Sequence, residues 1–435
     1  MKILFLSHYF PPEVNAPASR TYEHCRAWVA RGHEVTVITC APNHPKGMIF
    51  DGYKNNLIYR EEINGINVIR LWTFVTPNEG VIKRTLNYLS FMLMSILVAP
   101  FLGRADVVLS TSPQFFNGLA GYFVSRLKAA KWVLEIRDLW PESIIAVGAI
   151  NNRRIIGMLE RIEHFAYRKA DRIVTVTQSF KRYMTKCGIS EHKVDVIYNG
   201  ADFDLFNVEK QLTKAAVIEN LALPELPPEL SDKFIASYVG THGMAHHLET
   251  LLDAAERLRE RTDIVFLMVG DGAEKARLQK IKQEKNLTNV IMLDQLPKAK
   301  MPAIWTITDA SLVLLKRSDL FKTVIPSKIF ESMAMSKPII LGVEGEVSDL
   351  VNQGNCGLVI EPENSELLAN AVTRLADNSE LKNQLGINGS EFVKTRFNRR
   401  TLARSFENML MVMVEDTATV DVSRETTSMK TSQAH

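Results

Sequence analysis

Short apolar runs of strand length recur along the first 200 residues, each bounded by turn formers: Ile3 to Leu6, Val35 to Thr39, Val68 to Leu71, Val107 to Leu109, Trp132 to Ile136, Ile173 to Val176 and Val194 to Ile197. Between several of them the apolar positions take helical spacing, as in Ala18, Tyr22, Cys25 and Val29, closed by Gly32. Uniformly apolar strands alternating with helices predict a parallel sheet covered on both faces. A second series follows: Phe234 to Val239, Ile264 to Val269, Val290 to Leu293, Leu312 to Leu315, Ile339 to Leu341 and Leu358 to Ile360, with helical segments such as Leu248 to Arg259 and Leu367 to Ala376. The pattern predicts an α/β chain of two doubly wound domains, 1–204 and 232–396. A less regular stretch with Pro224, Pro227 and Pro228 makes 205–231 the expected linker region. A helix is expected over 397–415, packing back on the first domain, and the Thr-, Ser- and charge-rich tail 416–435 is expected to be disordered. A length of 435 residues agrees with more than one core. Two similar halves make the cleft between them the expected ligand site, beyond the carboxyl ends of the strands.

Tyr88 to Leu102 departs from this rhythm, with fifteen residues free of charge between Lys83 and Arg84 on one side and Arg104 on the other. It falls short of the roughly 20 residues of a membrane span, so a buried or interfacial helix is expected. Lys plus Arg number 52 against 49 Asp plus Glu, a balance that argues against nucleic acid as the main partner. Cys25, Cys40, Cys187 and Cys356 are far apart, which favours a reducing cytoplasm without a disulfide framework or structural zinc. The start, Met1 to Ser7, reads as a first strand because His8, Pro11, Pro12 and Glu13 follow at once.

Loops after the strands hold the candidate chemistry. Ser7 to Arg20 is long and rich in turn formers, and Glu13, Asn15 and Arg20 in it are candidates for acceptor binding, Arg20 being able to meet a phosphate or to lie on a helix surface. Asp138 follows the strand Trp132 to Ile136 and reads as a helix cap before Pro141 or as a base or hydroxyl binder, with Leu139 and Trp140 to desolvate it. In the second half, Gly240, Thr241, His242 and Gly243 form a turn that would let backbone N–H groups approach an anion. His242, His246 and His247 lack the further ligands of a metal site, and Gly270-Asp271-Gly272 reads as structural. Lys316 follows the strand Leu312 to Leu315, where a cation would stabilise a departing phosphate. Pro326, Ser327, Lys328 and Glu331 read as a helix start: Pro326 suits the first turn, free N–H groups there accept phosphate, and Glu331 one turn on suits a vicinal diol. A ribose beside a diphosphate meets both demands, and an ordinary capped helix is the plainer alternative.

These segments together resemble family-4 glycosyltransferases of the GT-B fold, most closely the bacterial branch of L-fucosamine-transferase-like enzymes of surface-polysaccharide synthesis. The resemblance lies in Tyr9-Phe10-Pro11-Pro12-Glu13 with Arg20, Gly32-His33-Glu34-Val35-Thr36-Val37, Arg137-Asp138-Leu139-Trp140-Pro141, Asn199-Gly200-Ala201-Asp202, Gly240-Thr241-His242-Gly243 and Pro326-Ser327-Lys328-Ile329-Phe330-Glu331. It implies two Rossmann-like domains facing across a cleft, with retaining, metal-independent, cofactor-free transfer of an N-acetylamino-type sugar from a UDP-sugar. The implied acceptor is a polyprenyl-diphosphate-linked saccharide of O-antigen, capsule or exopolysaccharide. The implied setting is peripheral at the inner face of the cytoplasmic membrane, contacted through Tyr88 to Leu102, for a monomer or dimer. Glu331 takes the place of the family's ribose-holding glutamate, whereas Thr323 stands where its partner carboxylate is expected, leaving Lys322 or the N–H groups near Val324 to replace it. Lys316 and Lys328 are expected to carry the diphosphate, and Asp138 to serve the acceptor as a catalytic or orienting group. A UDP-sugar 2-epimerase and a non-catalytic nucleotide-sugar or lipid-binding scaffold are the alternatives.

Overall fold

The apolar runs form two sheets in the computed structural model, which describes residues 1–44, 47–76, 81–112, 114–146, 148, 150–207 and 212–432. The first sheet contains β1 (Lys2–Leu6), β2 (Glu34–Cys40), β3 (Ile58–Ile63), β4 (Ile66–Leu71), β5 (Val107–Thr111), β6 (Lys131–Ile136), β7 (Arg172–Thr175) and β8 (Val194–Val196). Their order is β3-β4-β2-β1-β5-β6-β7-β8. The second sheet contains β9 (Phe234–Val239), β10 (Ile264–Val269), β11 (Val290–Leu293), β12 (Ala310–Leu314), β13 (Ile339–Gly342) and β14 (Gly357–Val359), ordered β11-β10-β9-β12-β13-β14. The pairings are parallel except that of β3 with β4. That edge hairpin was not legible as an apolar run, because β3 is IYREEI and mostly exposed. Its signal is the Asn64-Gly65 turn, whose φ values of 51° and 79° favour this dipeptide.

In each sheet the strand order reverses beside one strand, β1 in the first and β9 in the second. Crevices at such points receive ligands. The two polar loops singled out above, after β1 and after β9, therefore both open at a switch point.

Helix α1 (Ala16–Ala30) starts at Asn15, whose Oδ1 accepts the Ala18 N–H at 2.8 Å, and it buries Cys25 and Trp28. The helix Arg399–Ser432 packs on it: Phe406, Leu410 and Met413 share a core with Phe5 and Trp28, and the Trp28 indole donates to the Ala403 carbonyl at 3.0 Å. The helix runs to Ser432, where composition predicts a disordered tail from 416; no Gly or Pro follows Asn398 to end it, and 433–435 lie outside the described residues. Of the expected linker, 208–211 lie outside the described residues, while the helix Lys214–Leu221 buries Val217, Ile218 and Leu221 in one core with Ile235 and Trp305 of the second half.

Helices α2 (Val81–Val98) and α3 (Phe115–Lys128) lie on one face of the first sheet, where Phe91, Val98, Ala120 and Val124 pack on Leu4, Ile38 and Val108. By length and composition α2 could cross a membrane, but one side of it belongs to this core and the other is open. Tyr88 to Leu102 is thus a half-buried helix ending in the turn Ala99–Phe101.

Candidate active site

The loop after β9 is held by its neighbours. The Gly240 and His242 N–H groups donate to Val269 and Asp271 carbonyls, both at 2.9 Å. These two amides, expected to face an anion, are therefore committed to the adjacent turn. That turn needs glycine, since a Cβ on Gly270 would lie 1.9 Å from the Gly240 carbonyl oxygen and one on Gly272 2.5 Å from that of His242. Gly270-Asp271-Gly272 is structural in this sense. Thr241 is exposed, whereas His242 is fully buried with both ring nitrogens unpartnered. Burial, reinforced by Lys275 and Lys328, lowers its pKa to about 4 and leaves a neutral imidazole. His246 is likewise lowered by burial to about 3, with Nδ1 3.3 Å from the Leu314 carbonyl. Among the described residues no group of three His, Cys, Asp or Glu is placed to hold a metal ion.

The helix expected from Pro326 begins at Lys328 and ends at Ala334, with Ser327 as its cap residue. Pro326 thus precedes the helix, its carbonyl accepting the Ile329 N–H at 3.2 Å. Lys328 is the central group here. Its Nζ lies 3.6 Å from the centroid of the Tyr238 ring and 3.0 Å from where a Gly240 Cβ would sit, buried without a hydrogen-bond partner. Burial pushes its pKa down to about 7 against the attraction of Glu331. Glu331, in the next turn, has its carboxyl pKa raised by burial, opposed by Lys298 and Lys328. Lys316 follows β12 with an exposed side chain, and its N–H donates to the Ala245 carbonyl at 2.9 Å, tying it to the Gly240 loop. Gly240, His242, Lys328 and Glu331 are thereby brought together, with Lys316 at the rim.

The proposed substitutes for the absent carboxylate are engaged elsewhere. Thr323 Oγ1 donates to the Leu320 carbonyl at 2.6 Å, Lys322 pairs with Asp319 at 3.0 Å and Glu344 at 3.4 Å, and the Val324 N–H donates to Phe321.

Across the cleft, Arg20 is held in a buried hydrogen-bond network. Its guanidinium donates to Glu135 at 2.9 Å, the carbonyls of Tyr198 and Ile197 at 2.7 and 2.8 Å, and Asn199 at 3.2 Å. The side chain is 2% exposed, and four of its five N–H donors tie α1 to β6 and the segment after β8. Glu13 is buried and accepts N–H groups from Phe10, Asn43 and His44 at 3.3, 3.0 and 2.9 Å, shaping the loop while burial raises its pKa to about 7. Asn15 caps α1 through Oδ1 and keeps a buried, unpartnered Nδ2. Asp138 is raised by burial to about 6, opposed by Ser143 and Trp140 hydrogen bonds and by Arg84. It lines a small cavity with Ser112, Gln114, Trp140, Glu163 and Tyr167.

Sequence reasoning missed the groups that join the halves. Lys298, before the helix Met301–Ile307, pairs with Glu23 of α1 at 2.6 Å, and Glu23 also pairs with Arg399. Glu346 reaches the first domain, accepting the Gln178 and Ser179 N–H groups at 2.9 and 2.6 Å at the start of the helix Gln178–Lys186. Arg137 has buried, unpartnered Nε and Nη1 atoms, and burial lowers it to about 10 despite Glu135. A buried carboxylate between two cations has no signature in spacing, although Glu23 on an apolar helix face was a local hint.

Comparison with known proteins gives this arrangement a context. Residues 15–200 match the glycosyl transferase 4-like domain, and residues 225–392 match glycosyl transferases group 1. WcaI of Escherichia coli K12, named as a colanic acid biosynthesis glycosyl transferase, is 26% identical over 85% of this chain and 90% of its own. WbjE of Pseudomonas aeruginosa, named as a glycosyltransferase, is 26% identical over 66% of this chain and 70% of its own. Among solved structures, the sucrose-phosphate synthase of Thermosynechococcus elongatus superposes with a TM-score of 0.74 at 18% identity, over 95% of this chain and 99% of its own. Anabaena Alr3699/HepE in complex with UDP and glucose superposes with a TM-score of 0.70 at 17% identity, over 94% and 99%.

Proposed function

Because this chain is a glycosyltransferase of the GT-B fold, we propose that it moves an N-acetylamino sugar of the hexosamine type from a UDP-sugar to a polyprenyl-diphosphate-linked saccharide. The transfer retains configuration, needs no metal ion, and takes place at the inner face of the cytoplasmic membrane during assembly of a surface polysaccharide. The name of WcaI supports the polysaccharide setting, and the UDP and glucose held by the Anabaena protein support the donor class.

The observation that carries the donor reading is Lys328, a buried ammonium with no hydrogen-bond partner beside Gly240 and one turn from a carboxylate. A cation in that position gains most from an arriving dianion, because in a poorly solvated site the attraction is weakly screened. The diphosphate lies against Lys328 with Lys316 at the rim, and Glu331 accepts the ribose hydroxyls. As the sugar–phosphate bond breaks, charge grows on the leaving phosphate where Lys328 already stands. The acceptor hydroxyl attacks from the same face, its proton passes to the leaving phosphate oxygen, and Asp138 orients that hydroxyl.

Calorimetric titration with UDP tests the donor half. Glu331→Ala removes charge-assisted hydrogen bonds of about 1.5–3 kcal/mol in total, so affinity is expected to fall by roughly 10- to 150-fold. Unchanged affinity refutes the ribose role. Transfer to a lipid-linked acceptor with full rate in excess EDTA is the expected result for metal independence.

A further inference from the structure

We propose that a cavity between α3, the Asp138 loop and the helix Arg153–Lys169 receives the acetamido group of the acceptor's terminal sugar, so that the residue to be glycosylated is itself an acetamido sugar. The cavity lies at the carboxyl ends of β5 and β6, where Ser112 follows the one and Asp138 the other. Asp138 and Trp140 are half-buried, whereas Gln114 and Glu163 are 1% and 4% exposed, so an open rim leads to a closed floor. The volume is about 30 Å³, where a single water needs about 10–15 Å³. That holds a few heavy atoms, enough for a substituent and too few for a sugar ring.

Two buried oxygens decide which substituent fits. Gln114 is the cap residue of α3 yet makes no side-chain cap hydrogen bond. Its Nε2 donates to the Tyr88 carbonyl at 3.1 Å, which leaves a buried Oε1 with no partner among the described residues. Glu163 accepts the Tyr167 hydroxyl on Oε1 at 2.5 Å, while its Oε2 is buried and equally unpartnered. Burial raises the Glu163 carboxyl to about 8 against the Tyr167 hydrogen bond, with Glu142 and Glu160 adding to the rise, so at neutral pH it is protonated and Oε2 is the oxygen left to carry the proton. The cavity therefore offers one acceptor and one donor, each of which costs free energy while unpaired. The rest of the wall is largely hydrocarbon, from Leu119, Leu134, Ile136 and Ile162.

An acetamido group matches all three surfaces. Its N–H meets Gln114 Oε1, its carbonyl oxygen accepts from Glu163 Oε2, and its methyl meets the apolar wall. A hydroxyl leaves the apolar room empty, and an ammonium asks for acceptors on every side, which a protonated carboxyl does not supply. At the rim the rings of Phe115 and Trp140 stack with centroids 6.0 Å apart and 23° between planes, a half-buried aromatic surface for the sugar ring that bears the group. Every wall residue belongs to the first domain, whereas Lys328 and Glu331 of the donor side belong to the second, so the group falls to the acceptor.

The test uses the full chain in excess UDP and follows, by saturation-transfer NMR, the binding of methyl glycosides of N-acetylglucosamine and N-acetylgalactosamine beside those of the free amino sugars and of glucose and galactose. At least one acetamido glycoside should bind more tightly than its amino and hydroxyl counterparts by about tenfold or more, from two hydrogen bonds, with its acetyl methyl the most strongly saturated group. Glu163→Leu should abolish that preference, and Glu163→Gln, whose amide keeps a donor and an oxygen for Tyr167, should retain most of it; thermal midpoints check that both fold. Equal binding of the three classes, tighter binding of the amino glycosides, or no binding of either acetamido glycoside by wild type overturns the proposal. So does a Glu163→Leu variant that keeps the glycoside preference and loses one for UDP-N-acetylglucosamine over UDP-glucose, which would place the acetamido group on the donor. The assignment rests on the acceptor reading of the Asp138 loop, but no transfer is needed to test it. A preference among glycosides without transfer from any UDP-sugar leaves the cavity assigned and sinks the donor reading, whereas transfer without the preference does the reverse.

Discussion

Lys328→Met should make the protein more stable and bind UDP less well, two effects of opposite sign from one side chain. Its Nζ is buried without a hydrogen-bond partner, and burial lowers its pKa from an ordinary 10.5 to about 7. At ~1.4 kcal/mol per tenfold change in proton affinity, holding that lysine folded at pH 7 costs up to roughly 4 kcal/mol, which Met with the same stem avoids. The sign with pH follows from proton counts. Between pH 7 and 10.5 the unfolded chain keeps a proton that the folded chain has released, so stability rises with pH across that window. Lys328→Met should remove this rise in urea titrations. UDP reverses the preference, because a phosphate beside Nζ restores the charged form. Near pH 7 about half of the free protein has this lysine neutral, so binding should take up on the order of half a proton. Calorimetry in buffers of different ionisation enthalpy reads that uptake directly, and it should vanish in the variant together with about 1.5–3 kcal/mol of UDP affinity. A binding enthalpy independent of buffer, or a variant that binds UDP as tightly as wild type, would refute the placement of Lys328 against the phosphates.

Other sites make separate predictions. Arg20→Met strands the buried Glu135 and should cost about 3–5 kcal/mol in urea unfolding while UDP affinity of the folded fraction stays unchanged; the reverse pattern would make Arg20 a ligand after all. The Asp138 carboxyl is raised to about 6, so kcat/KM should decline as pH falls through 6, and Asp138→Asn should be slow without that acid limb. Removing Lys298 takes away the stronger of the two cations opposing the rise of Glu331, so in Lys298→Ala the loss of UDP affinity on acidification should begin at a higher pH than in wild type.

The strands of both sheets were legible because buried parallel strands are continuous apolar runs, and all but β3 announced themselves that way. β3 is charged on an edge, and only its Asn64-Gly65 turn betrays it. Strand order and its switch points were not legible, but the cleft loops were, since in doubly wound domains ligand-binding loops follow the carboxyl ends of strands. The duties of single side chains were not. Arg20 and Lys328 are both cations near a helix start beside a cleft loop, and nothing in their neighbours' types separates them.

What separates them is what each side chain already holds. Arg20 donates to four acceptors, and its rigid fork suits a site where a carboxylate and two carbonyls converge. Lys328 is buried with no hydrogen-bond partner, and its ammonium faces a tyrosine ring and a glycine that leaves room for it. A cation whose charge already meets a buried carboxylate contributes to stability and has less attraction left for a ligand, whereas an unpartnered one costs stability until an anion arrives. Arg137, with two unpartnered guanidinium nitrogens at the carboxyl end of β6, belongs to the second kind. It is therefore the first-domain residue to test for contact with a substrate phosphate, ahead of Arg20, whose loop position had made it a candidate for acceptor binding.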